Sequence, residues 1–147
     1  MTMTENELQD GRVVAIAGPV IDVEFPRGAL PELNSAIEFT IELEGESTVV
    51  LAEVAQQLGN SRVRAICMKP TDGLVRGTPV RNTGHGIQVP VGDGVLGNVW
   101  NVWGEALDTQ PEGLDEMERW DIHRPAPTFD SLEPSARMFE TGIKVVD

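Results

Sequence analysis

The sequence predicts a mainly β protein, in which a closed six-stranded barrel over residues 11–82 is followed by a second, incomplete unit over residues 83–147. Two observations predict the barrel: apolar and polar residues alternate in short runs, and Gly, Pro or Asn separates one run from the next. A third is the near absence of helical periodicity before residue 82. A flat sheet of six short strands would leave two open edges, whereas a closed barrel has none.

The strands follow from this alternation. In the clearest case Ile37, Phe39 and Ile41 alternate with acidic residues and threonine. Hairpin turns are predicted at residues 44–46 and 59–60, where glycine supplies the backbone freedom that a tight turn needs. The predicted strands are residues 13–17, 21–25, 37–43, 48–54, 62–68 and 79–81.

The chain changes character after the barrel. Glycines crowd residues 84–97, so the domain boundary is placed at residues 82–84. Apolar spacing of three and four predicts a short helix over residues 95–103, ended by Gly104. Residues 105–134 read as an acidic, extended connection on a surface, and residues 141–147 as the first turn of a helix capped by Thr141. Because no Gly or Pro ends that helix, we expect the chain to be a truncated piece of a longer protein.

Charge and composition exclude several classes of function. The net charge is −13, and residues 105–147 hold 11 acidic but 4 basic residues, so a nucleic acid is a disfavoured partner. Residues 1–10 are a polar, flexible tail without signal or transit character, and no apolar run has the length of a membrane span. The single cysteine fits a reducing compartment, and cytoplasm is the default.

One glycine pattern suggests a nucleotide site. Residues 92–97 satisfy G-x-G-x-x-G, and Glu112 lies about 20 residues beyond the first glycine. That pattern requires a strand before it and a long helix after it, and neither is predicted here. A phosphate-binding loop is absent from the sequence, because neither lysine, Lys69 or Lys144, follows a glycine.

The polar candidates favour ordinary structural roles. His85 and His123 lie 38 residues apart without a nearby cysteine, so surface or packing roles are favoured over metal binding. Glu38, Glu42 and Glu44 share a strand face and are interpreted as solvated, not as paired catalytic carboxylates. We predict no catalytic, cofactor-binding or metal-binding residue in this chain.

The aromatic residues and the cysteine are interpreted in the same way. Trp100 and Trp103 are expected to pack against a nucleotide-binding domain, and with Trp120 they lack the interleaved cations of a base-stacking surface. Cys67 shares the face of apolar strand residues and is predicted to be buried and inert.

Several segments resemble the beta subunit of the F-type, rotary ATP synthase, and the similarity spans roughly residues 11–147. The most distinctive is residues 71–77, TDGLVRG. Asn98 departs from the resemblance, since the family usually has arginine after the glycine that corresponds to Gly97. The other similar segments are GRVV at 11–14, GPVIDV at 18–23, VPVG at 89–92, NVWGE at 101–105, IHRPAP at 122–127 and ETGIKVVD at 140–147.

The resemblance implies that residues 83–147 begin an α/β nucleotide-binding domain and that the barrel is an assembly module. Such barrels join alpha subunits in an alternating hexameric ring, held peripherally on the cytoplasmic side of the cell membrane. The full-length parent would make or hydrolyse ATP with MgATP and MgADP, coupled to proton transport. This chain alone is expected to lack catalysis and cofactor, since the parent's catalytic residues lie beyond it. The loops over residues 26–34 and 71–77 are predicted to contact neighbouring subunits.

Two alternatives remain open. The barrel could be a free-standing, oligonucleotide-binding type of module, which the net charge disfavours. The glycine-rich segment could instead serve an autonomous nucleotide-dependent enzyme. If the chain is a fragment, residues 87–91, Trp100 and Trp103 should be poorly buried, and residues 105–147 should be loose or packed in a non-native way.

Overall fold

The structure is a computed structural model that describes residues 9–43, 45–108 and 113–147. Most of the predicted tail, Glu44 and Glu112 lie outside the described residues. Short 3₁₀ turns occur at Asp93–Val95, Leu114–Glu116 and Phe129–Ser131. The strands are β1 (Gly11–Ala17), β2 (Val20–Glu24), β3 (Ser35–Leu43), β4 (Glu46–Gly59), β5 (Arg62–Cys67), β6 (Pro79–Gly86), β7 (Gln88–Pro90) and β8 (Arg119–Asp121).

Strands β1 to β6 close into a barrel, as the sequence predicts. Their order is β1-β2-β5-β4-β3-β6, and every neighbouring pair is antiparallel. The seam between β1 and β6 is short: Gly11 lies opposite Val80, and Arg12 lies opposite Pro79. At this seam Gly11 is buried, and a Cβ there would lie 2.8 Å from the Glu24 carbonyl oxygen. Closure at this point therefore requires glycine.

The barrel interior is filled with apolar side chains. The alternation that predicts the strands places one face of each strand inward, and the described residues include no buried polar or charged side chain. Among the described residues, the interior thus offers no polar side chain that could orient a ligand. The core residues are Val13, Ile21, Val23, Phe25, Ile37, Phe39, Ile41, Val50, Ala52, Val54, Val63, Ala65, Cys67 and Val80.

Two strands continue beyond their predicted C-terminal ends. β4 continues past residue 54 to Gly59, and its pairing with β5 shifts register between Val54 and Gln56 and again between Gln57 and Gly59. These irregularities hide the alternation from the sequence, and such bulges bend a strand around a barrel. β6 likewise runs beyond the predicted residue 81 to Gly86.

The turn between β4 and β5 confirms the hairpin predicted at residues 59–60. Its two central residues, Asn60 and Ser61, have φ of 48° and 60°. Positive φ at both central positions matches the right-handed twist of the flanking strands.

A two-stranded ribbon, formed by β7 and β8, follows the barrel. Gln88 pairs with Asp121 and Pro90 with Arg119. The Ile122 amide extends this ladder by donating to the Ile87 carbonyl at 2.9 Å. The expectation that residues 87–91 are poorly buried is wrong, because Ile87 is 2% exposed, Pro90 is also buried and the other three residues are half-buried. Residues 105–134 are thus not wholly an extended connection, since they include β8.

The helix predicted over residues 95–103 is wrong. A 3₁₀ turn ends at Val95, and residues 99–107 form a hairpin in which Trp100 bridges Ala106. The side-chain oxygen of Asn101 accepts hydrogen bonds from the amides of Trp103 and Glu105, at 2.9 and 3.0 Å. An asparagine that satisfies nearby backbone donors in this way competes with helix formation.

No helix is assigned over residues 141–147, which form turns, although the Asp147 amide donates to the Ile143 carbonyl at 3.0 Å with the spacing of a first helical turn. The Thr141 hydroxyl does accept a hydrogen bond from the Ile143 amide at 3.1 Å, as a cap would. The Asp147 carboxylate, however, accepts hydrogen bonds from the amides of Thr141 and Gly142, and this closes the segment on itself. The described ranges contain no helix with the length and hydrophobicity that a bilayer crossing requires.

Candidate functional site

The loop over residues 71–77 is hydrogen-bonded to β1 and to the turn that follows it. The Arg76 guanidinium donates to the Val14 carbonyl at 2.6 Å, and the Gly77 amide donates to the Val13 carbonyl at 2.7 Å. The Thr71 hydroxyl donates to the Gly18 carbonyl at 2.8 Å. These bonds extend the short seam between β1 and β6 and hold the loop rigidly, while Val75 stays 64% exposed. Residues 71–77 therefore present a preorganised surface of the kind that favours protein association.

The loop over residues 26–34 is also anchored to the barrel. The amide of Asn34 donates to the Val54 carbonyl at 2.9 Å, and the Gln57 side chain donates to the Pro31 carbonyl at 3.1 Å. Leu30 packs against the barrel core, whereas Leu33 is 56% exposed. Both loops predicted for subunit contact thus combine a fixed backbone with one exposed aliphatic side chain.

Ion pairs link neighbouring strands on the outer wall of the barrel. Arg64 donates to both oxygens of Asp22, at 2.8 and 3.0 Å, and these hydrogen bonds lower the pKa of the Asp22 carboxyl. Arg62 binds Glu24 at 2.9 Å. Each pair joins β2 to β5 at directly opposed positions, where opposite charges support a sheet.

The acidic face of β3 carries no paired carboxylates of the catalytic kind within the described residues. Glu38 accepts a hydrogen bond from Arg81 of β6 at 2.7 Å, and Glu42 is exposed. Glu44 lies outside the described residues. The geometry fits an outer strand face whose acids face water or a neighbouring cation.

The glycine-rich segment over residues 92–97 lacks the setting of a dinucleotide site. The strand before it, β7, pairs antiparallel with β8, and a single 3₁₀ turn follows at Asp93–Val95. Among the residues that the structure describes, no long helix follows whose N-terminus could face a pyrophosphate. Gly92 and Gly97, with φ of 92° and 78°, act as turn residues.

The two histidines lie in different surroundings. His85 Nδ1 is 2.7 Å from the Gly86 carbonyl oxygen, whereas His123 Nε2 is 2.9 Å from Glu53 Oε2. Within the described part of the chain, no three residues among His, Cys, Asp and Glu converge as metal ligands. The Glu53–His123 contact could not be predicted from the sequence, because no local sequence pattern indicates a contact between residues that are 70 apart.

The three tryptophans also lie in different surroundings. Trp100 is half-buried and donates through Nε1 to the Val95 carbonyl at 2.9 Å, and Trp103 is also half-buried. Trp120 is 44% exposed, and the Arg124 guanidinium lies 3.7 Å from its ring centroid. One ring face of Trp120 is therefore occupied by a cation of the same chain.

Cys67 lies in the barrel core, which confirms that it is buried. Its exposed fraction is 7%, and burial raises the pKa of its thiol to about 11. The thiol therefore stays protonated near neutral pH, and a protonated thiol is a poor nucleophile.

Comparison with known families identifies the barrel. The model described as the ATP synthase alpha/beta family, beta-barrel domain, matches residues 13–84. That range takes in β2 to β5 entirely and most of β1 and β6. The barrel is a β-barrel domain of the ATP synthase alpha/beta family. The sequence resemblance is thereby confirmed at the level of this family, whose description covers alpha and beta subunits together.

Proposed function

We propose that the chain is the N-terminal assembly module of the catalytic beta subunit of an F-type ATP synthase. In this proposal the ATP synthase barrel joins barrels of alpha subunits in an alternating hexameric ring. The observation that carries it is the match of residues 13–84 to the beta-barrel domain of the ATP synthase alpha/beta family. A closed barrel with an apolar interior is a rigid building block, and its outer wall is free for association.

The choice of the beta subunit rests on individual segments. Residues 71–77 (TDGLVRG) resemble a distinctive beta-subunit segment. Residues 122–127 and 140–147 lie outside the matched range of residues 13–84, and they resemble other segments of the beta subunit. We propose accordingly that residues 83–147 are the first part of the nucleotide-binding domain. The parent enzyme would use MgATP and MgADP, couple their chemistry to proton transport, and sit peripherally on the cytoplasmic side of the membrane.

We further propose that the loops over residues 26–34 and 71–77 contact the neighbouring subunits. Both are anchored to barrel strands by backbone hydrogen bonds. Both also present an exposed aliphatic side chain, Leu33 and Val75, that another protein could cover. Burying such a side chain contributes about 1.5–3 kcal/mol when the fit is complete.

The test is selective binding to an alpha subunit. The tagged chain is mixed with separately purified alpha and beta subunits of an F-type ATP synthase, and complexes are measured by native mass spectrometry. We expect the chain to bind alpha in preference to beta. Equal capture of both, or of neither, contradicts the proposed role.

A charged substitution in the contact loop refines this test. Val75→Asp should weaken binding to alpha about tenfold or more, because a carboxylate would be desolvated at the interface. Val145→Asp is the matched control, since Val145 is 96% exposed and lies outside the barrel. If both variants bind alpha as the wild type does, the loop over residues 71–77 is not the contact.

Titration calorimetry with MgATP and MgADP separates the assembly role from the alternatives. We expect no binding, because the phosphate-binding loop is absent from the sequence. Micromolar binding would instead mean that the glycine-rich segment serves a nucleotide site. A parallel titration with single-stranded oligonucleotide at moderate salt tests the remaining alternative, a nucleic-acid-binding barrel.

A further inference from the structure

One spot on the outer wall of the barrel is covered by chain from outside the barrel. Ile37 faces the core, so alternation points its neighbour Ala36 outward. Ala36 nevertheless has an exposed fraction of 1%, and it does not belong to the barrel core. Ile87 is equally buried and also lies outside that core, directly after Gly86, which pairs with Ser35. The segment that leaves β6 therefore packs on the wall beside Ala36.

Glu53 lies at the same spot. It pairs with Ala36 on one side and with Ile66 on the other, so its immediate cross-strand neighbours are apolar. Its side chain is 20% exposed, and its Oε2 atom is 2.9 Å from His123 Nε2. A carboxylate that is mostly shielded from water needs a hydrogen-bond donor. His123, from beyond the barrel, supplies it.

The position of His123 is fixed by the ribbon of β7 and β8. The amide of Ile122 donates to the Ile87 carbonyl at 2.9 Å, and the Gln88 side chain donates to Asp121 at 2.9 Å. On the other side of His123, Arg124 stacks on Trp120. The histidine is thus held between two local contacts while its ring reaches the barrel.

A second contact joins the hairpin over residues 99–107 to the barrel. Lys69, which follows β5, binds Glu105 at 3.0 Å. The hydrogen bonds from Lys69 and Asn101 lower the pKa of the Glu105 carboxyl, so it is charged at neutral pH. Gly104 lies so close to the ribbon that a Cβ would be 2.4 Å from Pro90 Cδ. Ribbon and hairpin are therefore packed together.

We propose that the ribbon β7–β8 and the hairpin over residues 99–107 form one unit, here called the bracket. Two contacts, Glu53–His123 and Lys69–Glu105, attach the bracket to the barrel wall. The Glu53–His123 contact holds β8, and its loss releases β8 while the barrel stays folded. The bracket sets the direction in which the chain leaves the barrel. This inference concerns the described chain itself and does not depend on the proposed function.

Both contacts are partly exposed, so the attachment of the bracket to the barrel is reversible. His123 and Lys69 are 49% and 32% exposed at their side chains. Exposed pairs contribute about 0.2–1 kcal/mol each, which is far less than the stability of a domain. The bracket can therefore open by local unfolding, without opening the barrel.

Trypsin cleavage after Arg119 reports on this opening, because Arg119 lies in β8. His123→Ala and Glu53→Ala should each raise the rate of that cleavage about 1.4- to fivefold, measured by mass spectrometry. The double variant should be cleaved no faster than the faster single variant, because both remove the same contact. His123→Gln keeps a donor for Glu53 and should restore most of the protection.

The control and the contrary outcomes are defined by the same assay. Glu133→Ala removes an ion pair with Arg137 that is highly exposed on both sides, and it should leave cleavage after Arg119 unchanged. Amide exchange of β5 shows whether Glu53→Ala disturbs the barrel. If it does, the proposal is judged on His123→Ala alone, because His123 lies outside the barrel. Unchanged cleavage in His123→Ala, or effects that multiply in the double variant, would overturn the proposal.

Discussion

The barrel and the last twenty residues contain similar apolar side chains but use them in opposite ways. In the barrel, Ile37 and Val63 are fully buried. In residues 128–147, Phe129, Met138 and Phe139 are 87%, 92% and 85% exposed. The difference lies in the backbone, because the barrel strands share a closed hydrogen-bonded ladder and residues 128–147 do not join it. Apolar content alone does not make a core; stability should therefore be concentrated in the barrel.

Amide exchange should show the largest contrast. Backbone amides of β2 and β5, which pair along their whole length, should exchange only through global unfolding. Amides of residues 128–147 should exchange much faster than those of the barrel, because all of these residues are exposed and the hydrogen bonds that their amides make close only local turns. Uniform slow exchange across both regions would show that the comparison is wrong.

A matched pair of isoleucine truncations measures the same contrast as free energy. Ile37→Ala should lower the free energy of unfolding by about 2–5 kcal/mol, since it leaves a cavity in a filled core. Ile143→Ala should change it by less than about 0.5 kcal/mol, because Ile143 is 58% exposed. Urea titrations followed by circular dichroism measure both values. Equal losses in the two variants would mean that residues 128–147 carry part of the stability.

Cys67 offers a test of the barrel through pH. Its thiol pKa is raised by burial from 9.0 to about 11, so the folded state disfavours the thiolate. Stability should be unaffected by this group below about pH 9 and should fall between pH 9 and 11, by roughly 3 kcal/mol. Cys67→Ala should lose this alkaline decline when unfolding is measured by urea at pH 8 and pH 10.5. The chain has no tyrosine, which removes the commonest competing titration.

The smallest expected effect concerns the bracket. Gly104→Ala should destabilise the hairpin locally by about 1–3 kcal/mol, because Gly104 has φ of 73° and no room for a Cβ beside Pro90. Gly97→Ala is the control, with φ of 78° and open space around it, and should lose about 1 kcal/mol. Exchange of the Leu107 amide, which donates to the Val99 carbonyl, reports on the hairpin. Barrel amides should not change in either variant.

The barrel was predictable from sequence because its information is local. Ile37, Phe39 and Ile41 alternate with polar residues, and that spacing fixes both the strand and the face that it buries. The extension of β4 was missed because bulges beside Gln56 and Gln57 interrupt the alternation. The buried state of Cys67 followed from the same face rule.

The bracket was not predictable, and the reason is again physical. Val95, Val99 and Trp103 have helical spacing. The side-chain oxygen of Asn101, however, accepts hydrogen bonds from nearby backbone amides, and this favours a hairpin over a helix. The contact of His123 with Glu53 joins residues that are 70 apart and depends on how the ribbon packs. A single sequence shows local patterns, and it does not show which distant surfaces meet.

The short seam between β1 and β6 has a topological consequence. The first strand and the last strand of the barrel are neighbours there, so the chain enters and leaves the barrel on the same side. Both connections between the barrel and the rest of the chain therefore lie on one side of it, and the rest of its surface stays clear of them. A circular permutant that joins β6 to β1 by a short linker and opens at Asn60, in the exposed turn between β4 and β5, should retain the fold.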